Sequence, residues 1–397
     1  MTIDVSQARA DTPGCADVIH LNNAGAALPP QAVTDAMIAH LRREAAIGGY
    51  EAAAEARDAI ETTYAALARM LNCQPDEIAV VDSATRAWDM AFYAFDFRPG
   101  DRILTGVAEY ASNYLAFLQV ARKTGAVIET IPDDVFGQLD LGALDEALRA
   151  DRGPVRLIAI THVPTNGGLV NPAAGVGKLA REHGVPFLLD ACQSAGQMPL
   201  DVDTLGCTML TATGRKFLRG PRGVGFLYID RAWAQRLEPP LIDLHAATWI
   251  APDRFELRGD ARRFESWERN IAAHIGLGVA VNYAVDLGLD AIKERIGMLA
   301  TKTRQRLESH PGLVVLDKGL AKCGIVTFLC IGEEPVETRR RLAAAGIHVS
   351  VSPRTSTRLD MDERDIDDLV RASVHYYNTE DEIERLVEVA AQRPSRS

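Results

Sequence analysis

The chain has 397 residues, 47% of them hydrophobic and 24% charged, a composition that suits a globular protein with ample core and more than one domain. Its formal net charge of −11 argues against a nucleic-acid-binding surface and leads us to expect a cytoplasmic protein. No apolar run approaches the roughly 18 residues needed to cross a membrane, and the acidic stretch Met1 to Ala16 lacks the apolar segment of a secretory signal. In chain order, Gln31 to Ala46 and Glu51 to Leu71 carry apolar residues at helical spacing and predict two amphipathic helices. Glu77 to Val81 predicts a strand, and Asp82-Ser83-Ala84-Thr85 the cap and first turn of a helix through Phe95. Strands follow at Arg102 to Thr105 and Ala126 to Ile131, separated by a helix from Ser112 to Lys123. Val155 to Thr161 and Pro186 to Leu189 are continuous apolar runs, the pattern of parallel strands buried on both faces, with a helix from Ala174 to His183 between them. The apolar stretch Cys207 to Leu210 and the strand-like Gly225 to Ile229 flank a glycine-rich connection.

This alternation predicts an α/β fold, a large domain over residues 20–280 with a mostly parallel, doubly wound sheet. Beyond it the texture changes. A long helix (Asn282 to His310) precedes strands at Gly312 to Leu316 and Gly324 to Ile331, a helix (Pro335 to Ala345), a strand (His348 to Val351) and a last helix (Thr379 to Ala391). These predict a smaller α+β domain built from residues 281–397 together with residues 1–19, ending in the polar tail Gln392 to Ser397. The six cysteines are scattered without a Cys-x-x-Cys pair, so reduced thiols are expected, with neither a zinc site nor a redox motif.

Open parallel sheets bind ligands at the carboxyl ends of their strands, and four such ends carry polar residues here. Ser83-Ala84-Thr85-Arg86 offers hydroxyls and backbone N–H groups at a helix start, a place that favours phosphate. Thr161-His162-Val163-Pro164-Thr165-Asn166-Gly167-Gly168 is a polar turn after a strand. Asp190-Ala191-Cys192-Gln193 puts a carboxylate at the end of a buried strand, where it needs a partner such as a protonated pyridine nitrogen. Gln193 would then hydrogen-bond a ring hydroxyl or a substrate. Thr211-Ala212-Thr213-Gly214-Arg215-Lys216-Phe217 holds a lysine in a tight connection between buried elements. Burial would lower its pKa and free an amine to attack an aldehyde, while Thr213 and Arg215 flank it as anion ligands. Each piece alone has an ordinary explanation: a helix cap, a loop, a capping aspartate, a basic turn. Together they predict a site for pyridoxal 5′-phosphate with Lys216 as its Schiff-base lysine.

Asp-Ala-Cys-Gln followed by Thr-Gly-Arg-Lys and its Gly-Pro-Arg-Gly-Val-Gly tail resembles the class V aminotransferase family, in its cysteine desulfurase and selenocysteine lyase group. The similarity runs from His20-Leu21-Asn22-Asn23-Ala24-Gly25 to the segment Val370 to Thr379. It implies a fold-type I homodimer with active sites near the subunit interface, acting on a small amino-acid substrate. It also implies roles. Lys216 would carry the cofactor, Asp190 bind its ring nitrogen and Gln193 its ring oxygen. Ser83, Ala84, Thr85, Thr213 and Arg215 match positions around the phosphate. Tyr110 falls where desulfurases stack a histidine on the ring, and Arg371 matches the arginine that grips the substrate α-carboxylate. Thr165 and Asn166 lie where desulfurases place a carboxylate-binding asparagine. Asn23 and Arg354 complete the expected substrate-binding set, Arg354 as a partner for an acidic or zwitterionic tail.

Two departures stand out. Desulfurases carry a persulfide-forming cysteine on the loop after a Gly-Ile-x-Val strand; here Gly346-Ile347-His348-Val349 leads into Ser350 to Thr357, where Thr355 takes the cysteine's place. The glycine-threonine pair that reaches the partner's phosphate is replaced by Trp267-Glu268. The expected activity is therefore β-elimination on a cysteine-derived amino acid, a C–S lyase that forms no enzyme persulfide. Racemisation or epimerisation and transamination are the alternatives on the same cofactor, and a non-catalytic scaffold the remote one.

Overall fold

The computed structural model describes residues 2–392, so the end of the polar tail lies outside the described residues. Seven strands form the central sheet: β1 (Ile78–Val81), β2 (Arg102–Gly106), β3 (Val127–Ile131), β4 (Val155–Thr161), β5 (Phe187–Asp190), β6 (Met209–Thr213) and β7 (Gly225–Ile229). Their order is β1-β7-β6-β5-β4-β2-β3, and only β7 runs against its neighbours. Successive side chains leave a strand on opposite faces, and the sequence supplies apolar residues to both. Leu157, Leu188, Met209 and Leu227 enter one core with Trp88, Phe92 and Phe117. Their neighbours Ile158, Leu189, Leu210 and Phe226 enter the other, with Leu67 and Leu277. Burying one such side chain contributes about 1.5–3 kcal/mol, so a continuous apolar run can hold a strand between two helical layers. The fold class expected from the sequence is the one observed.

The C-terminal region has its own four-stranded antiparallel sheet: β8 (Leu313–Val315), β9 (Ile325–Cys330), β10 (Ser350–Pro353) and β11 (Asp368–Ser373), in the order β8-β9-β11-β10. Its core takes in Ala8, Leu21 and Ala24 from the N-terminal segment, and Ile19–His20 pairs in parallel with Ile347–His348.

Several elements differ from expectation. The predicted helix Asn282 to His310 is two helices, Ile271–Leu287 and Leu289–Glu308, bent by 80° at Gly288. Gly288 takes φ +89°, a conformation that favours glycine and ends the first helix. The first of the pair joins both regions: Ala273, Leu277 and Val281 pack under the large sheet, and Ala284 packs in the C-terminal core. The predicted helix Glu51 to Leu71 is interrupted at Ala56. The short helix Leu141–Arg149, the hairpin Ala247–Ala251/Arg254–Leu257 and the central strand β11 are additions. Among the described residues, no single helix is long and apolar enough to cross a membrane.

Candidate active site

Parallel registry sets the site. Thr161 at the end of β4 lies opposite Asp190 at the end of β5, and Asp190 opposite Thr211 on β6. These strand ends open into a cleft of about 270 Å3 whose floor holds Asp190, Cys192, Gln193 and Lys216 and whose walls are Tyr110, Thr161, Val163 and Thr165. A larger groove of about 910 Å3, lined by Tyr50, His245 and Trp267, shares no residue with it.

Asp190 is buried and takes two neutral donors, the backbone N–H of Cys192 at 2.8 Å and Asn113 Nδ2 at 2.9 Å. Lys216 follows β6 and is open only in part, ringed by protein. Desolvation pushes its amine below the usual lysine range, with Cys192 and Asp190 pulling the other way. A lysine so placed holds a free amine more readily than one in water. The Cys192 thiol is driven well above the usual range, first by burial and then by the Asp190 charge, so it stays a neutral thiol.

A glycine assembles the anion end. Thr213 pairs across the sheet with Gly225, and a Cβ on Gly225 would lie 2.8 Å from the backbone nitrogen of Ala84. The helix Ala84–Phe92 thus starts against the end of β6, capped by Ser83, whose hydroxyl accepts the Arg86 N–H at 3.1 Å. First-turn N–H groups of a helix have no partner within it, so those of Ala84 and Thr85 remain available beside Thr213. Arg215, half-buried, donates to the carbonyl of Gly25.

Behind the Thr165 wall stands Arg371 of β11. Arg371 is buried, with Thr165 Oγ1 and the Thr165 carbonyl as its acceptors. Burial, then the Arg215 charge, pull its pKa down to about 10. Its Nε has no partner; neither has Oδ1 of the fully buried Asn166, nor Oε1 of Gln193. Buried polar atoms left unpaired cost about 1–3 kcal/mol each. The second atom of each amide is engaged: Asn166 Nδ2 donates to Thr357 Oγ1 at 2.9 Å and Gln193 Nε2 to the Ala24 carbonyl at 3.1 Å.

Two expected substrate ligands are not brought to the cleft. Asn23 spends its side chain joining the chain's two ends: Nδ2 donates to the Ser373 carbonyl at 2.6 Å, and Oδ1 accepts from the Tyr377 hydroxyl. Arg354 is held outside by Asp362, Asp365 and Asp367. Conversely, Glu109, Asn113 and Thr357 enter the site without having been singled out, while Thr161 heads the polar turn that the sequence marks. For Glu109 and Asn113 a signal was present: two polar residues four apart, straddling the start of the helix Ala111–Thr124 just after a strand.

The chain is similar to known proteins along nearly its whole length. The family described as "Aminotransferase class-V" matches residues 19–386. A probable cysteine desulfurase of Pyrococcus abyssi (strain GE5 / Orsay) is 30% identical over 390 residues, covering 96% of this chain and 95% of that protein. The apo structure of a cysteine desulfurase from Thermococcus onnurineus NA1 superposes with a TM-score of 0.90 at 27% identity, over 98% of each chain. A cystine C–S lyase in complex with its product cysteine persulfide shares the fold, with a TM-score of 0.85 at 23% identity, over 96% of this chain and all of that one (100%).

Proposed function

The chain belongs to the class V aminotransferase family and is a pyridoxal-5′-phosphate-dependent enzyme, and from that premise we propose that it is a C–S lyase that performs β-elimination on a cysteine-derived amino acid and forms no persulfide on itself. The residues present fit the cofactor. Asp190 has no ion-pair partner among the described residues, as suits a carboxylate awaiting a protonated ring nitrogen. The unpaired Gln193 Oε1 suits a ring hydroxyl, and the start of the helix Ala84–Phe92 with Thr213 and Arg215 suits the phosphate. Tyr110, on the cleft wall, suits a ring face.

Bound there, the cofactor supplies the electron sink for α-carbon chemistry. The protein's part is to hold and to move a proton. Arg371, with its free Nε, takes the substrate α-carboxylate, and Thr165 holds the guanidinium in place. Lys216, with its amine favoured in the neutral form, takes the α-proton.

The absence of a thiol from the loop Ser350 to Thr357 carries the lyase reading. Thr355 is exposed there, and the Asn166–Thr357 hydrogen bond ties the end of that loop to the cleft wall. The one thiol lining the cleft, Cys192, is held protonated and is a poor acceptor for sulfur. A sulfur substituent would therefore leave as a free product. Eliminating it from the β-carbon, with the α-proton removed, gives an enamine that water converts to pyruvate and ammonia.

We further propose a cytoplasmic homodimer. Trp249, Phe255 and Leu244, on and beside the hairpin Ala247–Ala251/Arg254–Leu257, are exposed, as are Trp267 and Tyr50. Exposed aromatics at this density suit a protein interface. Incubating holoenzyme with cystine, cysteine conjugates, cysteine sulfoxides and ordinary amino acids tests the reaction. Pyruvate release from the sulfur-bearing members alone is expected. Loss of optical activity, or a pyridoxamine spectrum without pyruvate, would replace the reading by epimerisation or transamination.

A further inference from the structure

A buried carboxylate that the proposed chemistry does not use lies behind the cleft. Glu109 is 4% exposed and has no ion-pair partner among the described residues, yet it collects donors from three elements. Its Oε1 accepts the Tyr110 N–H at 2.9 Å and Asn113 Nδ2 at 2.8 Å, and its Oε2 the Thr161 N–H at 2.8 Å. Thr161 Oγ1 also donates to Oε1, and Thr105 Oγ1 lies 3.3 Å from Oε2. Asn113 is the joint of this network. Its single amide nitrogen serves two carboxylates, Glu109 at 2.8 Å and Asp190 at 2.9 Å. An amide nitrogen has two protons, one for each, and turning the amide over would set its oxygen against two acceptors.

Two carboxyl groups are thereby held within reach of one neutral donor, where burial makes it costly for both to carry charge at once. Without the bridge, Asp190 would keep only the Cys192 N–H and could turn toward other donors. Glu109, for its part, holds the backbone of Tyr110, whose side chain lines the cleft, and the backbone of Thr161 beside Asp190.

We propose that Asn113, anchored by Glu109, is a positioning residue that fixes the Asp190 carboxylate for the cofactor ring nitrogen by donating to both carboxylates at once, so that ring edge and ring face are set by one buried network. This rests on the reading of Asp190 as the ring-nitrogen partner.

The experiment measures binding of pyridoxal 5′-phosphate to apo wild type, Asn113→Ala, Asn113→Asp and Asp190→Ala, from mildly acidic to mildly alkaline pH, beside thermal unfolding of each apo protein. Asn113→Ala is expected to weaken binding about tenfold, the effect of one charge-assisted hydrogen bond. Asn113→Asp keeps the shape of the side chain but sets a third carboxylate between two. At alkaline pH it should bind more weakly than the alanine variant, and it should recover toward acidic pH as the introduced carboxyl becomes a donor. A role in packing alone predicts the reverse ranking and no such recovery. If Asn113→Asp does not fold, Asn113→Ser, with one proton to donate, is expected to fall between wild type and Asn113→Ala. Binding by Asn113→Asp equal to wild type at alkaline pH overturns the proposal, and so does loss of cofactor in Asp190→Ala with none in Asn113→Ala. If Asp190→Ala itself binds normally, the error lies in the ring-nitrogen reading instead.

Discussion

Two buried carboxylates packed around the seven-stranded sheet are treated in opposite ways. Glu265, away from the cleft, is saturated: it accepts from the Tyr64 hydroxyl and the Val80 N–H, both at 2.8 Å, from His245 Nε2 at 2.8 Å and from Arg269 at 2.7 Å. Asp190, in the cleft, has two neutral donors and, among the described residues, no ion-pair partner. Buried arginines divide likewise. Arg304 is matched by Asp317 and by the carbonyls of Cys323 and Ile325, whereas Arg371 has only Thr165 and an unpaired Nε. Saturated buried charge holds the scaffold together. Unsaturated buried charge costs stability and marks where ligands complete the structure.

The contrast can be broken from either side. The largest expected effect is at the cleft: Lys216→Ala should lower turnover by about 10³-fold or more and remove the visible band of the bound cofactor, read by steady-state assay and absorbance. On the scaffold side, Glu265→Ala leaves Arg269 and His245 without their carboxylate, and should lower unfolding free energy by about 3–5 kcal/mol in denaturant titration. The cofactor spectrum of the folded fraction should be unchanged. Arg371→Met should do the opposite. The KM for amino-acid substrate is expected to rise about tenfold to a hundredfold, while the apo protein keeps its stability or gains about 1 kcal/mol. A strongly destabilised Arg371→Met would erase the distinction.

A further effect is in pH dependence. Burial raises Glu109 from 4.5 to about 7, against the pull of Thr161 and Asn113. The folded apo protein therefore binds this proton more tightly than the unfolded chain does. Its contribution to stability is fully present below about 4.5, falls as pH rises to about 7, and is lost above. Glu109→Gln does not titrate, so the difference between the two unfolding free energies should slope over that window and level off above it.

The sequence makes the saturated and unsaturated regions unequally readable. Lys216, Asp190, Gln193 and the Ser83 cap follow short apolar strands, and the contrast of a polar residue after an apolar run is visible without coordinates. Asn113 and Thr357 work through partners 77 and 191 residues away, so their roles depend on registry between strands and on the approach of the C-terminal region. Asn23 shows the converse. It stands in a motif shared with the family, yet its amide is consumed by Ser373 and Tyr377 in the seam between the chain's two ends. Arg354 was read for its charge, but three aspartates close by in sequence absorb that charge locally. Helical spacing continues on both sides of Gly288 and reads as one helix, which conceals the 80° bend at that glycine.

The most direct test of the account is the fate of sulfur and carbon when holoenzyme turns over cysteine itself. Pyruvate, ammonia and sulfide in equal amounts, with the intact mass of the protein unchanged, is the result expected of a cleft whose only lining thiol is held protonated. Alanine formed in step with a protein-bound persulfide would contradict it.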